Sequence, residues 1–198
     1  VSGGSENDMR FVYCAAAISY MLNDFSGMDV NKAVNYILSS QAYDYGIAQA
    51  PGQESHGGST YCAIAALALM GRLDDLQHKD KLIHWCVERH ISGFQGRINK
   101  VADSCYSFWI GATLDMLGAY HLIDFNSVKG HTLSCEQKTG GIAKWPDQYA
   151  DVLHTYMSLA GLSLGNEPGI QKIDSRLGFS LDAVAKLKNI HSNWKINQ

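Results

Sequence analysis

Thr60-Tyr61-Cys62-Ala63-Ile64-Ala65-Ala66-Leu67-Ala68-Leu69-Met70-Gly71 is an apolar run of mostly small residues that ends on a glycine. Its composition predicts a helix without a wet face, and the glycine suits the left-handed residue that closes many helices. Gly71 recurs as Gly118 and Gly165, and Gly46 recurs as Gly93 and Gly140, each time 47 residues on. Segments 107–117 and 154–164 occupy the same place in that interval as 60–70, and 13–23 falls one interval earlier. All four are rich in Ala, Gly and Ser, so helices built from them can pack closely, and an internal repeat of this length is read before anything else.

Segments 29–41, 79–91, 126–137 and 180–194 alternate with these inner ones. The first carries Val30, Ala33, Val34, Ile37 and Leu38 at helical spacing, and the others set apolar residues against charged faces. They are predicted as outer helices with one solvated side. No stretch alternates with period two for long enough to make a strand, and the three prolines (Pro51, Pro146, Pro168) all fall between helices. The class is therefore all-α, one repeat domain over 1–198, built from helix hairpins. Connections 42–58, 92–102 and 139–150 are long, and each leads from an outer helix to an inner one. Long loops collected on one edge of a repeat array are where function is sought.

A formal net charge of −3 argues against nucleic acid as a partner, because phosphate neutralisation needs a basic surface. No apolar run approaches the roughly twenty residues of a membrane span. Five cysteines without a C-x-x-C pair read as free thiols, four of them (Cys14, Cys62, Cys86, Cys135) in apolar helices, which suits the cytoplasm.

Asn99-Lys100-Val101-Ala102-Asp103-Ser104-Cys105-Tyr106-Ser107-Phe108-Trp109 sets a carboxylate and a thiol two residues apart at a helix start. Asp and Cys so spaced can share a zinc ion if a third ligand arrives, and His154 is the candidate. On the 47-residue interval His154 takes the place of Ser107, about 3 Å of rise beyond Cys105. Neighbouring helices lie roughly 8–10 Å apart, within reach of a shared ion. The same interval pairs His56 with Asp103 and Lys144 with Arg97. His56, Arg97, Lys100 and Lys144 are thus expected on one edge with the inner helix N-termini, an arrangement suited to a diphosphate. Tyr13, Cys62, Trp109 and Tyr156 offer an apolar cavity beneath. Taken singly, Asp103 also reads as a helix cap, Cys105 as a small buried residue and His154 as a core histidine. Their coincidence of register is what points to a site.

These residues carry a resemblance. Gly93-Phe94-Gln95-Gly96-Arg97 and the stretch from Asn99 to Trp109 resemble the β-subunit signature of the protein prenyltransferases, as do Glu54-Ser55-His56-Gly57-Gly58-Ser59-Thr60 and Gly140-Gly141-Ile142-Ala143-Lys144-Trp145-Pro146-Asp147. The likeness runs from about Asp8 to the end, and D-x-C-Y-S-F-W is its most specific part. It implies an α/α toroid with one Zn²⁺ held by Asp103, Cys105 and His154. It also implies a prenyl diphosphate at His56, Arg97, Lys100 and Tyr106, with Lys100, Tyr106 and Lys144 acting on the reacting group. Cys62 and Trp109 match positions in the isoprenoid tunnel; Arg10, Phe11 and Leu153 match positions near the substrate peptide. Lys144 stands where farnesyl-transferring relatives carry an acidic residue associated with Mg²⁺. The implied reaction is Mg²⁺-free transfer from geranylgeranyl diphosphate to the cysteine of a C-terminal CaaX motif, in proteins such as small GTPases, by a heterodimer with an α subunit. Farnesyl or Rab-directed transfer, or a non-catalytic helical-repeat binding module, are the alternatives. The family's β subunits begin with further hairpins, so the resemblance implies that these residues are the C-terminal part of a longer chain and leave the toroid incomplete.

Overall fold

The apolar run around Ile64 forms a helix from Gly57 to Leu69 in which eleven of thirteen residues are buried, as a segment with no polar face requires. In the computed structural model residues 6–196 are described; the two ends of the 1–198 domain, 1–5 and 197–198, lie outside the described residues. The helices are α1 (Met9–Leu22), α2 (Val30–Ser39), α3 (Gly57–Leu69), α4 (Lys79–Val87), α5 (Tyr106–Met116), α6 (Phe125–Ser134), α7 (Val152–Leu164) and α8 (Leu181–Ile196). Among the described residues the only β structure is isolated bridges.

The odd-numbered helices stand in a row, α1 against α3, α3 against α5 and α5 against α7. The main core lies along this row, with Ile64, Leu67, Phe108 and Ala112 buried and the outer helices adding Val34, Ile37 and Leu82. Each fully buried Ile or Leu contributes roughly 1.5–3 kcal/mol relative to exposure. The two ends of the row are less covered than the inner reading predicts. Phe11 and Ile18 on α1 are more than half exposed, as is Val152 on α7, and Cys14 is also exposed.

Three connections are stitched in the same way. Bridges join Ala48 to Ser55, Gln95 to Ala102 and Ala143 to Ala150. The N–H groups of Met9, Gly57 and Ser104 donate to the carbonyls of Gln49 (3.0 Å), Gly96 (2.7 Å) and Lys144 (3.1 Å), so each inner helix start is tied to the connection that follows it. These equivalences correct the interval. The second step is 47 residues, from Gly57 to Ser104, but Gly96 to Lys144 and Ala102 to Ala150 are each 48. The left-handed residues after the inner helices are Asn23, Gly71, Gly118 and Asn166, not Gly165. His154 is therefore the counterpart of Tyr106 rather than Ser107, and Lys144 of Gly96 rather than Arg97. A net gain of one residue accounts for both: Arg89 and Cys135 are 46 apart while Gln95 and Ala143, which bond to them, are 48 apart. The third connection is thus two residues longer than the second, and the segment before it is one shorter.

A strap over 173–180 crosses the row. Tyr13 and Tyr61 donate their hydroxyls to the Arg176 carbonyl at 3.0 and 3.1 Å, and Tyr156 donates to the Gly178 carbonyl at 2.9 Å. Two side chains expected to line an apolar cavity, Tyr13 and Tyr156, thus also hold this strap. Beyond it α8 packs back on α1, where His191 Nε2 donates to the Met21 carbonyl at 2.9 Å.

Candidate metal centre and anion pocket

Inner helices begin on residues whose side chains cap them. Asp8 accepts from the Arg10 N–H, His56 Nδ1 from Gly58, Asp103 from Cys105, and Asp151 from His154. Capping satisfies N–H groups that a first helical turn leaves open. Because the capping residues share one register, four polar side chains arrive at one edge.

Asp103, Cys105 and His154 converge there: one ligand atom from each lies within 4.8 Å of the others. Ligands at about 2.0–2.3 Å from a tetrahedral ion stand roughly 3.3–3.8 Å apart, so the trio needs to contract by at most about 1.5 Å. Nitrogen, sulfur and oxygen donors in this combination suit zinc. His154 Nδ1 is 2.6 Å from Asp151 Oδ2, which places the ring proton on Nδ1 and leaves the Nε2 lone pair facing Asp103 Oδ1 at 3.4 Å. A carboxylate behind a ligating histidine is the usual orienting partner in metal sites. Lys144 Nζ stands 3.7 Å from Asp103 Oδ2 and over the Trp145 ring. Burial, reinforced by Asp103, pushes the Cys105 thiol far above its ordinary value, so without a cation this sulfur keeps its proton.

Beside the trio, Tyr106 OH lies 2.9 Å from His56 Nε2. The Gly58 N–H occupies Nδ1, so the neutral His56 ring carries its proton on Nε2 and donates it to the phenol oxygen. The Tyr106 O–H is then directed elsewhere. Burial lowers the His56 pKa, helped by the charge of Arg97, and burial raises that of Tyr106, so the pair stays neutral near pH 7. Gly96 lies against the Tyr106 ring, and a Cβ there would overlap it.

A cavity of about 440 Å³ opens next to His56, with Arg10, Cys62, Arg97 and Trp109 in its wall. Trp109 packs on Tyr61 with ring centroids 5.0 Å apart, and burial pushes the Cys62 thiol up to about 12, as for an inert apolar lining. Five residues predicted for three subsites (diphosphate, isoprenoid and peptide) are thus brought together. Lys100 is exposed on its connection and is not part of this wall, and neither is Lys144. Phe11 and Leu153 stand on α1 and α7, 53% and 49% exposed, and neither is part of this wall.

Two carboxylates escaped the sequence reading. Asp151 supports His154, and a capping Asp three residues before a candidate ligand was the available signal. Glu54 holds Arg97 Nη1 at 2.7 Å, and a glutamate in a polar loop carries no such signal.

Comparison with known proteins places this geometry. The family profile described as the prenyltransferase alpha-alpha toroid domain matches residues 1–190. The geranylgeranyl transferase type-1 subunit beta of Arabidopsis thaliana is 47% identical over 193 residues, 91% of this chain and 52% of that protein. Its Dictyostelium discoideum counterpart is 48% identical over 181 residues, 90% of this chain and 51% of that protein. The structure of Candida albicans protein geranylgeranyltransferase-I complexed with GGPP matches with a TM-score of 0.85 at 28% identity, covering 91% of this chain and 56% of that one. The chain spans about half the length of the relatives it matches.

Proposed function

Because the chain belongs to the prenyltransferase α/α-toroid family, we propose that it serves as part of the β subunit of a type I protein geranylgeranyltransferase. One observation carries the proposal: Asp103, Cys105 and His154 converge beside a pocket walled by His56 and Arg97. A geranylgeranyl group moves from its diphosphate to a cysteine near a protein's C-terminus; a C1–S bond forms, the C1–O bond breaks, and diphosphate leaves.

Asp103, Cys105 and His154 would hold zinc, which when bound supplies an open position that keeps an incoming thiol as thiolate near neutral pH. His56 orients Tyr106 so that its O–H donates to the departing oxygen. Arg97 and Lys100, with Lys144 beside the metal trio, counter the growing negative charge, and a lysine in that place removes the need for Mg²⁺. Cys62 and Trp109 take the isoprenoid, and Arg10 reads the acceptor peptide. Acceptors are CaaX C-termini ending in Leu or Phe, as in small GTPases. The partner is a prenyltransferase α subunit, and the compartment is the cytoplasm; among the described residues no helix is long and apolar enough to cross a membrane.

The test is to co-purify the chain with an α subunit, measure bound zinc, and assay labelled geranylgeranyl transfer to a CaaX peptide. Stoichiometric zinc that disappears in Cys105→Ala and His154→Ala, together with transfer, supports the reading. A folded, metal-free protein favours the binding-module alternative.

A further inference from the structure

Glu54 and Arg97 approach the pocket from different connections, 42–58 and 92–102, and meet across it with Arg97 Nη1 2.7 Å from Glu54 Oε2. Both side chains are about half exposed, at 43% and 58%. An ion pair this open is weak, worth at most about fivefold in an equilibrium constant. Arg97 is also a pocket cation whose charge reaches His56, more strongly than that of Arg10, which pairs with Asp8. An anion that engages Arg97 must take the guanidinium from Glu54 or share it, and in either case it meets that carboxylate's negative charge.

We propose that Glu54 is a competing counterion that tunes the pocket's selectivity and release: it occupies Arg97 when the pocket is empty and reclaims it when the bound anion leaves. The inference rests on the anion pocket proposed above. A carboxylate carries one negative charge, so a diphosphate, with more charge and more acceptor oxygens, displaces it where a monoanion does not. The same competition loosens the hold on diphosphate after transfer. A purely orienting Glu54 predicts the opposite effect, since removing it would cost the pocket an aligned donor.

The experiment measures inorganic pyrophosphate binding by calorimetry to the 198-residue chain, alone and with its α partner, at fixed ionic strength. Glu54→Gln is expected to tighten binding by about two- to fivefold. Glu54→Asp should keep the original affinity. In an Arg97→Gln background, Glu54→Gln should change nothing, because the competition has lost its object. Circular dichroism and a thermal melt check that each variant is folded. An unchanged or weaker affinity in Glu54→Gln overturns the proposal, as does a gain that persists without Arg97, which would be through-space repulsion alone. If the unsubstituted protein binds no pyrophosphate, the anion pocket itself fails, and that result is separable because it appears before any variant is made.

Discussion

His154 Nδ1 sits 2.6 Å from Asp151 Oδ2, and the same carboxylate caps the His154 N–H from its other oxygen at 2.9 Å. One side chain therefore fixes both the first turn of α7 and the tautomer of the candidate ligand. Asp151→Asn keeps a capping oxygen but loses the charge behind the imidazole. Zinc affinity, measured by competition with a chromophoric chelator, should fall by about 10–100-fold while the helical signal is retained. Unaltered affinity would mean that Asp151 is a cap and nothing more.

How much of this was legible turns on particular residues. Helices enclosed on every face admit only small and apolar side chains, and that is why α3 and α5 stand out in the sequence to within a few positions. The net shift of one residue was hidden because Gly140 and Gly141 are adjacent and both have positive φ, and because Asn166 takes the left-handed place that Gly71 and Gly118 hold earlier. A slip of one residue moves a helical side chain by about 1.5 Å along the axis and about 100° around it. Counting therefore placed His154 at the right height but could not supply its direction towards Asp103. Glu54 was illegible as a functional group, and Asp151 signalled itself only by its place before a candidate ligand, because a carboxylate in a loop or at a helix start is usually solvated or capping. Their partners lie 43 and three residues away.

Tyr106→Phe removes the hydroxyl that His56 orients and leaves the ring packed against Gly96. If that hydroxyl donates to the leaving oxygen, kcat/KM for transfer should drop by about 10²–10³-fold, as for the loss of one donor at developing charge. Zinc content and fold should be unaffected. A normal rate in Tyr106→Phe would assign the pair to structure alone.

Lys144 reaches 3.7 Å from Asp103 and lies over Trp145, so it is held at the edge of the metal trio. Transfer by the complex with an α subunit should proceed without Mg²⁺. In Lys144→Asp the Mg²⁺-free rate should fall by about 10²-fold and recover in part when Mg²⁺ is added. An unchanged Mg²⁺-free rate would remove Lys144 from the chemistry.

Burial holds His90 and His131 below the ordinary histidine value, and the Nε2 atom of each is enclosed without a partner among the described residues. A depressed pKa means that the unfolded chain takes up protons first as pH falls. The stability of the neutral rings is therefore complete above about pH 6.5 and drains away below it, through the folded values. The depressed carboxylates, Asp8 and Asp174 among them, titrate in a lower window, below about 3.8. Urea midpoints should decline from about pH 7.5 to about pH 5.5, and His131→Gln should flatten that slope. An identical slope in the variant would show that other groups set it.

Thr60 and Thr155 are counterparts that do the same work in different surroundings. Thr60 Oγ1 accepts from the Ile47 N–H at 3.0 Å, and Thr155 Oγ1 accepts from the Ile142 N–H at 2.9 Å. The Ile47 carbonyl has a second donor, the His56 N–H at 3.1 Å, so Thr60→Val strands chiefly one N–H group. Thr60 is fully buried, and water cannot replace its oxygen; the cost should be about 1–3 kcal/mol in urea unfolding. Thr155 lies half-buried on α7, at the less covered end of the row, so water can more readily take the place of its hydroxyl. Thr155→Val should therefore cost clearly less, under about 1 kcal/mol. Equal losses at the two positions would mean that the end of the row is as dry as its centre, and that α7 is covered where the structure leaves it open.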